Sequence, residues 1–553
     1  MRTTIGWGLS LIASASLVAC GGGSGSDGTT SSPMTFAGTA ASGAAIAGGT
    51  VDIKCAAGTG TATTGADGKY TLTLDEATLP CALQVTAADG TAYRSVQAGT
   101  GAGGSFTVNI TPLTELLVAR LAGADPKSFF DGFSSASSVS ADSVAQAVDG
   151  LKSILAGLVD LSGVNPLSDA LEAAHGSSAG NALDQKLDAL AVVVAAAGTT
   201  LAEVSGAIAA NPTVPEGINQ VLQPPAPDCA RLHSGKYRMI NPYEGDPLWQ
   251  AHVLAIDATN LSFTAFDGST GTFVSDGAGS CSFTTTDTDG AVTKALVASS
   301  GILIMHSTAN DGSRSVAIGL PEQTIPVSEL EGTWNNLWFG QSDPDVAGYV
   351  AEPGVMTLDA TGQLTASSVC IGLNPCSAED EQLGKLVART DGGFDFVEAG
   401  TTVGRLHAFK APNGVYVAVA FGSDNSFQVS TKQRATPALP TVGDMNEVWE
   451  FTVNGNGSVT ALSQAAIEII AVDAQAKSVT RMRESDKRVD TFGYDTPRDG
   501  LRYRAPNSCS VNGVASNCAG TVVLPLQGLG LTLSGSLGTS PSNSFYSVSV
   551  GKP

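Results

Sequence analysis

Along the chain, the order of apolar and polar positions divides it into a β-patterned stretch, a helix-patterned stretch and a longer β-patterned stretch. From Thr35 to about Ile110 the period is two: Thr50-Val51-Asp52-Ile53-Lys54 alternates, Asp67-Gly68 marks a tight turn, and Tyr70-Thr71-Leu72-Thr73-Leu74 alternates again. Thr111-Pro112 then supplies a capping hydroxyl followed by a proline suited to the first helical position. Val144, Val148, Leu151, Leu155 and Leu158 recur at helical spacing, Asn165-Pro166 repeats the cap-then-proline start, and Leu183, Leu187, Leu190 and Val194 form another stripe. Residues 112–222 are therefore expected as a helical bundle, stopped by the breaker Pro224-Pro225-Ala226-Pro227.

From Asp228 onward the alternation returns and repeats. Gly235-Lys236-Tyr237 opens one module, Gly332-Thr333-Trp334 a second, and Val448-Trp449-Glu450-Phe451 a looser third. Similar hairpins follow at Ile256–Asn260, Leu358–Gly362 and Val453–Gly457, each running on into a Thr-Ala pair. Each module closes on an alternating strand: 316–319, 417–422 and 546–551. A recurrence of about a hundred residues is too long for propeller blades and suits small antiparallel barrels or sandwiches. The Gly-x-Trp opening resembles, in shape only, the first strand of lipocalin-like barrels.

Two further resemblances rest on local residues. Gly38-Thr39-Ala40, Gly43, Ile46, Gly49, Val51 and Thr64-Gly65-Ala66-Asp67-Gly68-Lys69-Tyr70 resemble the carboxypeptidase regulatory-like domain, which implies a transthyretin-like β-sandwich used for structure or recognition; Cys55 and Cys81 depart from that pattern as an added staple. At the N-terminus, Arg2 precedes an apolar run from Ile5 to Ala19, too short for the roughly 20 residues of a membrane span but fit for a secretory signal. It ends in Leu17-Val18-Ala19-Cys20, which resembles a bacterial lipobox. That resemblance implies cleavage before Cys20 and lipidation of its thiol and amine, and Gly21 in place of Asp implies the outer membrane. The leaflet is open, with the cell surface favoured. More than one acyl chain makes such attachment stable, at about 0.8 kcal/mol per buried methylene.

The expected fold class is thus mainly β with a helical insert: signal peptide (1–19), Gly/Ser tether (20–33), transthyretin-like sandwich (34–111), helical bundle (112–222) and three related antiparallel β-barrel or sandwich modules (223–327, 328–437, 438–553).

Composition narrows the partners. Over 553 residues the net charge is −23, so the chain should be repelled by nucleic acid and anionic head groups, leaving membrane contact to the lipid on Cys20. Only 14% of residues are charged against 42% hydrophobic, which favours a folded body over a disordered one. Of nine cysteines, eight remain after Cys20; in an oxidising compartment, proximity pairs them as Cys55–Cys81, Cys229–Cys281, Cys370–Cys376 and Cys509–Cys518. There is no CxxC and the five histidines are far apart, so neither metal nor cofactor is expected.

Four patterns could carry chemistry. Gly176-Ser177-Ser178-Ala179-Gly180 fits a nucleophile elbow with Ser178 as the serine of an envelope hydrolase, but the elbow needs a preceding strand, and Leu167–His175 has helical period. Asp287-Thr288-Asp289-Gly290 begins like a calcium loop, yet its twelfth position is Ala298, so a hairpin turn is expected. Trp334 and Trp338, an even number of residues apart, share one strand face and form either core or an aromatic platform for an apolar ligand. Arg481, Arg483, Lys487, Arg488, Arg498, Arg502 and Arg504 are interleaved with Glu484, Asp486, Asp490, Asp495 and Asp499, which reads as a self-neutralised hairpin face or, alternatively, an anion or partner site. The expectation is a non-catalytic binding, adhesion or envelope-structural protein contacting an extracellular ligand or another envelope protein; the alternatives are the Ser178 hydrolase and a carrier of an apolar molecule near Trp338.

Overall fold

The computed structural model describes residues 32–212, 215–241, 252–341, 347–370, 376–378, 383–422, 426–537 and 541–553. The signal segment, Cys20 and most of the tether lie outside these residues. With 47% strand and 14% helix, the chain is mainly β with a helical insert.

The N-terminal unit is a sandwich of two sheets. Met34–Thr39 pairs antiparallel with Lys69–Leu74 and parallel with Gly104–Thr107. The second sheet runs Thr59–Thr63, Thr50–Ala57, Thr78–Thr86, Ala92–Ala102. Alternation in Thr50–Ala57 sends Val51, Ile53 and Cys55 inward onto Phe36, Tyr70 and Leu83. Cys55 and Cys81 face each other across adjacent strands and are disulfide-linked. At the Asp67-Gly68 turn, Gly68 has φ of 76° and a Cβ there would sit 2.5 Å from Ala40 O, so only glycine fits.

Among the described residues six α-helices follow: α1 (Pro112–Ala122), α2 (Pro126–Asp131), α3 (Ala141–Ile154), α4 (Ala182–Ala196), α5 (Leu201–Ala210) and α6 (Pro215–Val221). The α1 start is capped reciprocally by Thr111 and Thr114, with Pro112 in the first turn. Its residues from Pro112 to Ala119 are all buried, as expected of a helix that packs on the sandwich strand Ala92–Ala102 and on α3 and α5 at once. Arg94 of that strand meets Glu115 of α1 at 2.9 Å, tying the two units.

Two helical expectations need correction. The stripe through Leu158 ends early, with α3 stopping at Ile154. The helix anticipated after Asn165-Pro166, through Leu167–His175, is absent: residues 155–181 are turns and irregular backbone. The reason is tertiary. Leu167 O accepts from Asn109 N, Asp169 O from the Asn109 amide, Leu171 O from the Thr39 hydroxyl, and Ala174 O from Ala45 N. The Ala174 N–H goes to the buried Asp184 carboxylate. Backbone groups that an isolated helix would pair internally are taken by the sandwich and α4.

The remaining chain forms three antiparallel barrels. In the first, Gly235–Ile240 pairs with both His252–Asp257 and the last strand Arg314–Pro321. The two free edges, Thr270–Thr272 and Val274–Ser275, are separated only by Phe273, so the sheet curls until its edges meet. In the second, Gly332–Gly340 likewise joins Val350–Leu358 to Phe427–Lys432, and the edges close through Leu364 N to Gly384 O and Leu386 N to Gly362 O, both 2.9 Å. In the third, Met445–Asn454, Ser463–Asp473, Ser478–Arg483, Arg488–Tyr494, Arg502–Arg504, Thr521–Leu526, Leu531–Ser536 and Phe545–Gly551 pair in succession and the last returns to the first. The repeat is not strand-for-strand. The hairpin follows the second strand in the first two barrels (256–262, 358–364) but the first strand in the third, after Asn454.

The barrels share one core. Ile304 and Leu320 of the first, Leu337, Phe339, Val417 and Val429 of the second, and Phe451, Val522, Leu524 and Tyr546 of the third belong to a single buried cluster. Alternation then gives each sheet two destinations. One face meets the other barrels and the opposite face lines its own interior, where the first and second barrels hold separate clusters around Tyr237 and Phe283, and around Trp334 and Tyr416.

Candidate functional site in the barrel interiors

Strand Gly332–Gly340 shows how the second interior is built. Leu337 and Phe339 point to the shared core, while Trp334, Asn336 and Trp338 point into the barrel. The two tryptophans do different things there. Trp334 is 1% exposed and donates its indole N–H to Leu330 O at 2.9 Å, anchoring the short 3-10 turn Val327–Leu330. Around it lies a polar network: Lys410 Nζ is 3.0 Å from Glu329, the Tyr416 hydroxyl donates to the same carboxylate, and Lys432 Nζ donates to Glu329 O at 2.7 Å while lying 4.5 Å from the Tyr416 ring. Burial, together with the hydrogen bond to Glu329 and its negative charge, pushes the Tyr416 phenol well above its ordinary range. Burial lowers the Lys432 ammonium, with the Glu329 charge opposing.

Trp338 is half-buried and lines a cavity of about 430 Å³. Met356, Leu364, Phe396, Leu406 and Phe421 form its apolar wall, and among the described residues Glu398 is its one carboxylate. The indole packs against Gly340, where a Cβ would come within 2.2 Å of the ring, so this glycine is what lets Trp338 take its place. Sequence spacing put the two tryptophans on one face. It did not identify the wall, whose members come from five different strands.

In the arginine cluster, Arg483 pairs with Asp486, Lys487 with Glu484, and Arg488 and Arg504 with Asp490. Arg481, Arg483, Arg488 and Arg504 line a second cavity, inside the third barrel. Their even spacing within each strand was the available signal for a common face.

Ser178 sits in a two-residue turn closed by His175 N to Ser178 O (3.1 Å) and Ser178 N to His175 O (2.8 Å), not between two helices and not at a strand-to-helix elbow. Its hydroxyl oxygen meets the Gly180 N–H at 3.4 Å, and the His175 ring is bonded to Ala173 O. Asp287 accepts from Asp289 N and Ala291 N, the geometry of a hairpin turn. Among the described residues no cluster of His, Cys, Asp or Glu is arranged to hold a metal. Disulfides join Cys229 to Cys281 and Cys509 to Cys518; Cys370 is also disulfide-bonded, and the residue opposite it in register is Cys376.

No protein-family model matches the chain, and no curated protein matches it. Among solved structures it is similar in part to transferrin-binding protein B of Haemophilus parasuis, at 7% identity over 54% of this chain and 65% of that one, with a TM-score of 0.19. The isotype 1 transferrin-binding protein B of serogroup B Neisseria meningitidis gives 8% identity, 54% and 62% coverage and a TM-score of 0.18. A protein of unknown function from Nostoc punctiforme gives 11% identity over 42% of this chain and all of that one, with a TM-score of 0.16. The chain thus spans less than two thirds of the transferrin-binding proteins it matches, and similarity at this level leaves function to its own geometry.

Proposed function

We propose that this chain is a non-catalytic binding protein of the outer membrane, held by lipid on Cys20, whose second barrel takes an apolar small molecule against Trp338. The observation that carries the reading is the cavity of about 430 Å³ walled by Met356, Leu364, Phe396, Leu406 and Phe421. Its size falls within the ~300–1,000 Å³ of small-molecule sites, and an apolar wall with a few polar groups, here Asn336, Gln428 and Glu398, is the usual composition of such sites. A ligand there would gain about 25 cal/mol for each Å² of apolar surface removed from water. The lipobox-like Leu17-Val18-Ala19-Cys20 supports the anchor, and the transthyretin-like pattern of residues 34–111 supports a recognition or structural module beside it.

Native mass spectrometry of the mature chain purified from membranes should show bound mass that Trp338→Ala loses. Titration with the neutral probe N-phenyl-1-naphthylamine should quench tryptophan emission in wild type and not in that variant. A protein that is empty and indifferent to the probe would overturn the carrier reading. Retention of residues 1–19, or a Cys20 without acyl mass, would overturn the anchor. Protease shaving of intact cells decides the leaflet: cleavage places the body at the cell surface, where an extracellular ligand is met, and protection places it opposite an envelope partner.

A further inference from the structure

The cavity of the third barrel has a volume of about 480 Å³ and a different chemistry. Its charged lining is four arginines, Arg481, Arg483, Arg488 and Arg504, against two carboxylates, Glu450 and Asp490. The carboxylates are already engaged. Asp490 accepts from Arg504 at 2.6 Å and from Arg488 at 3.2 Å. Glu450 lies 3.8 Å from Arg483 and accepts from the Ser549 hydroxyl. Arg483 and Arg488 stand directly opposite each other in register, a repulsive arrangement relieved by Asp486 in the turn between them.

Arg481 is left over. Its guanidinium lies 4.6 Å from the centre of the Phe492 ring and makes no hydrogen bond or ion pair with any described residue. Arg504, 5% exposed, keeps a buried Nε without a partner. Arg481 is partly buried and feels the charges of Asp490 and Glu450; a guanidinium does not give up its proton in a protein, so its donors stay charged at the cavity wall. A charged donor at a cavity wall is stabilised further when a counter-charge and hydrogen-bond acceptors reach it. In a chain of net charge −23, concentrating arginines around an internal space also sets a local field opposite to that of the surface.

We propose that the third barrel binds a small solute bearing an oxyanion, carboxylate or phosphate, with the Arg481 guanidinium as its fork-shaped donor. The site is independent of the apolar cavity of the second barrel. A planar guanidinium donates two parallel bonds to either oxyanion, and the cavity is large enough for an organic anion rather than a bare ion.

The test uses the mature full-length chain at low ionic strength, titrated with inorganic phosphate and separately with citrate by calorimetry and by thermal melting. At least one should bind and raise the melting temperature. Binding of citrate alone assigns a carboxylate ligand, and binding of phosphate alone a phosphate ligand. Arg481→Met, which keeps the stem and removes the donors, should weaken that binding about tenfold or more, since a charge-assisted bond is worth roughly 1.5–3 kcal/mol. Arg389→Met, on the second barrel, should leave it unchanged. Should Arg481→Met fail to fold, Arg481→Lys retains the charge but not the fork and must still lose several-fold in affinity. No response to either anion overturns the proposal, and so does equal binding by wild type and the Arg481 variants.

Discussion

The second and third barrels present the same outward face and opposite interiors. Leu337, Phe339, Val417 and Val429 of one and Phe451, Val522, Leu524 and Tyr546 of the other enter the same buried cluster, so the outer faces are bound to remain apolar. Inside, the second barrel encloses Trp338, Met356 and Phe396, while the third encloses Arg481, Arg488 and Arg504. Small barrels have room for side chains or one small ligand, and nothing in the shared core dictates which. Where three barrels are fastened through their outsides, the interiors become the part free to specialise. The cost of an empty interior then differs. An apolar cavity forfeits dispersion contacts, whereas an arginine cavity leaves charges without partners.

The comparison breaks most directly at the shared face. Phe339 is fully buried, with ring contacts to Tyr349, Phe427 and Tyr546. Phe339→Ala should cost about 4 kcal/mol in chemical denaturation, combining lost transfer energy and a residual cavity. It should destabilise the second and third barrels together. Limited proteolysis that cleaves only the second would show that the outer faces are not one cooperative core.

The third interior can be probed without touching that face. Asp490 carries both Arg488 and Arg504, and its side chain is 8% exposed. Asp490→Ala strands the buried Arg504 and unpairs the half-buried Arg488, and should cost about 3 kcal/mol, a loss that added oxyanion partly restores if the cavity holds one. A substitution that destabilises equally with and without phosphate or citrate would reduce the network to internal structure.

Within the second interior the two tryptophans should separate. Trp334→Phe loses a buried indole hydrogen bond to Leu330 O and leaves a void at the closed end, about 2 kcal/mol. Trp338→Phe, at the cavity wall, should cost less than about 1 kcal/mol while shifting probe binding. Equal stability losses would mean that Trp338 is core as much as Trp334 is.

Much of this architecture was legible because turns carry their own chemistry. Asp359 accepts from Thr361 N and Gln363 N, Asp257 from Asn260 N, and Asn456 from Ser458 N, so the three hairpins announce themselves through local acceptors. What could not be read is which face turns inward. Arg481 and Arg483, Arg488 and Asp490, Arg502 and Arg504 are each spaced by two, so a common face followed from sequence. That face would be solvent-exposed in an isolated sheet and is interior here because the apolar face is claimed by the other barrels. The strand Tyr416–Gly422, read as alternating, is instead buried on both faces from Tyr416 to Val419. The missing helix at 167–175 has the same origin. Its period was helical, but Asn109, Thr39 and Asp184 lie far from it in sequence and bind its backbone only once the sandwich is folded.

The junction between the first and second barrels offers the smallest and most specific test. His407 is 7% exposed and its Nε2 is buried without a partner. Burial, reinforced by the guanidiniums of Arg238, Arg405 and Arg389 and opposed by Asp391, holds its imidazole down at about 3. In the unfolded chain the ring titrates near its ordinary value of about 6.5. Between those values the unfolded state binds a proton that the folded state refuses, so stability is full above about 6.5 and falls as the pH drops below it. From pH 7 to 5.5 the loss attributable to this one ring is about 1 kcal/mol. Carboxylates also titrate on the acid side, so the measurement is a difference between denaturation midpoints of wild type and His407→Gln across that interval. The variant, with nothing to protonate, should show the flatter curve by that amount, and parallel curves would mean that water reaches the ring and the two barrels part at this seam.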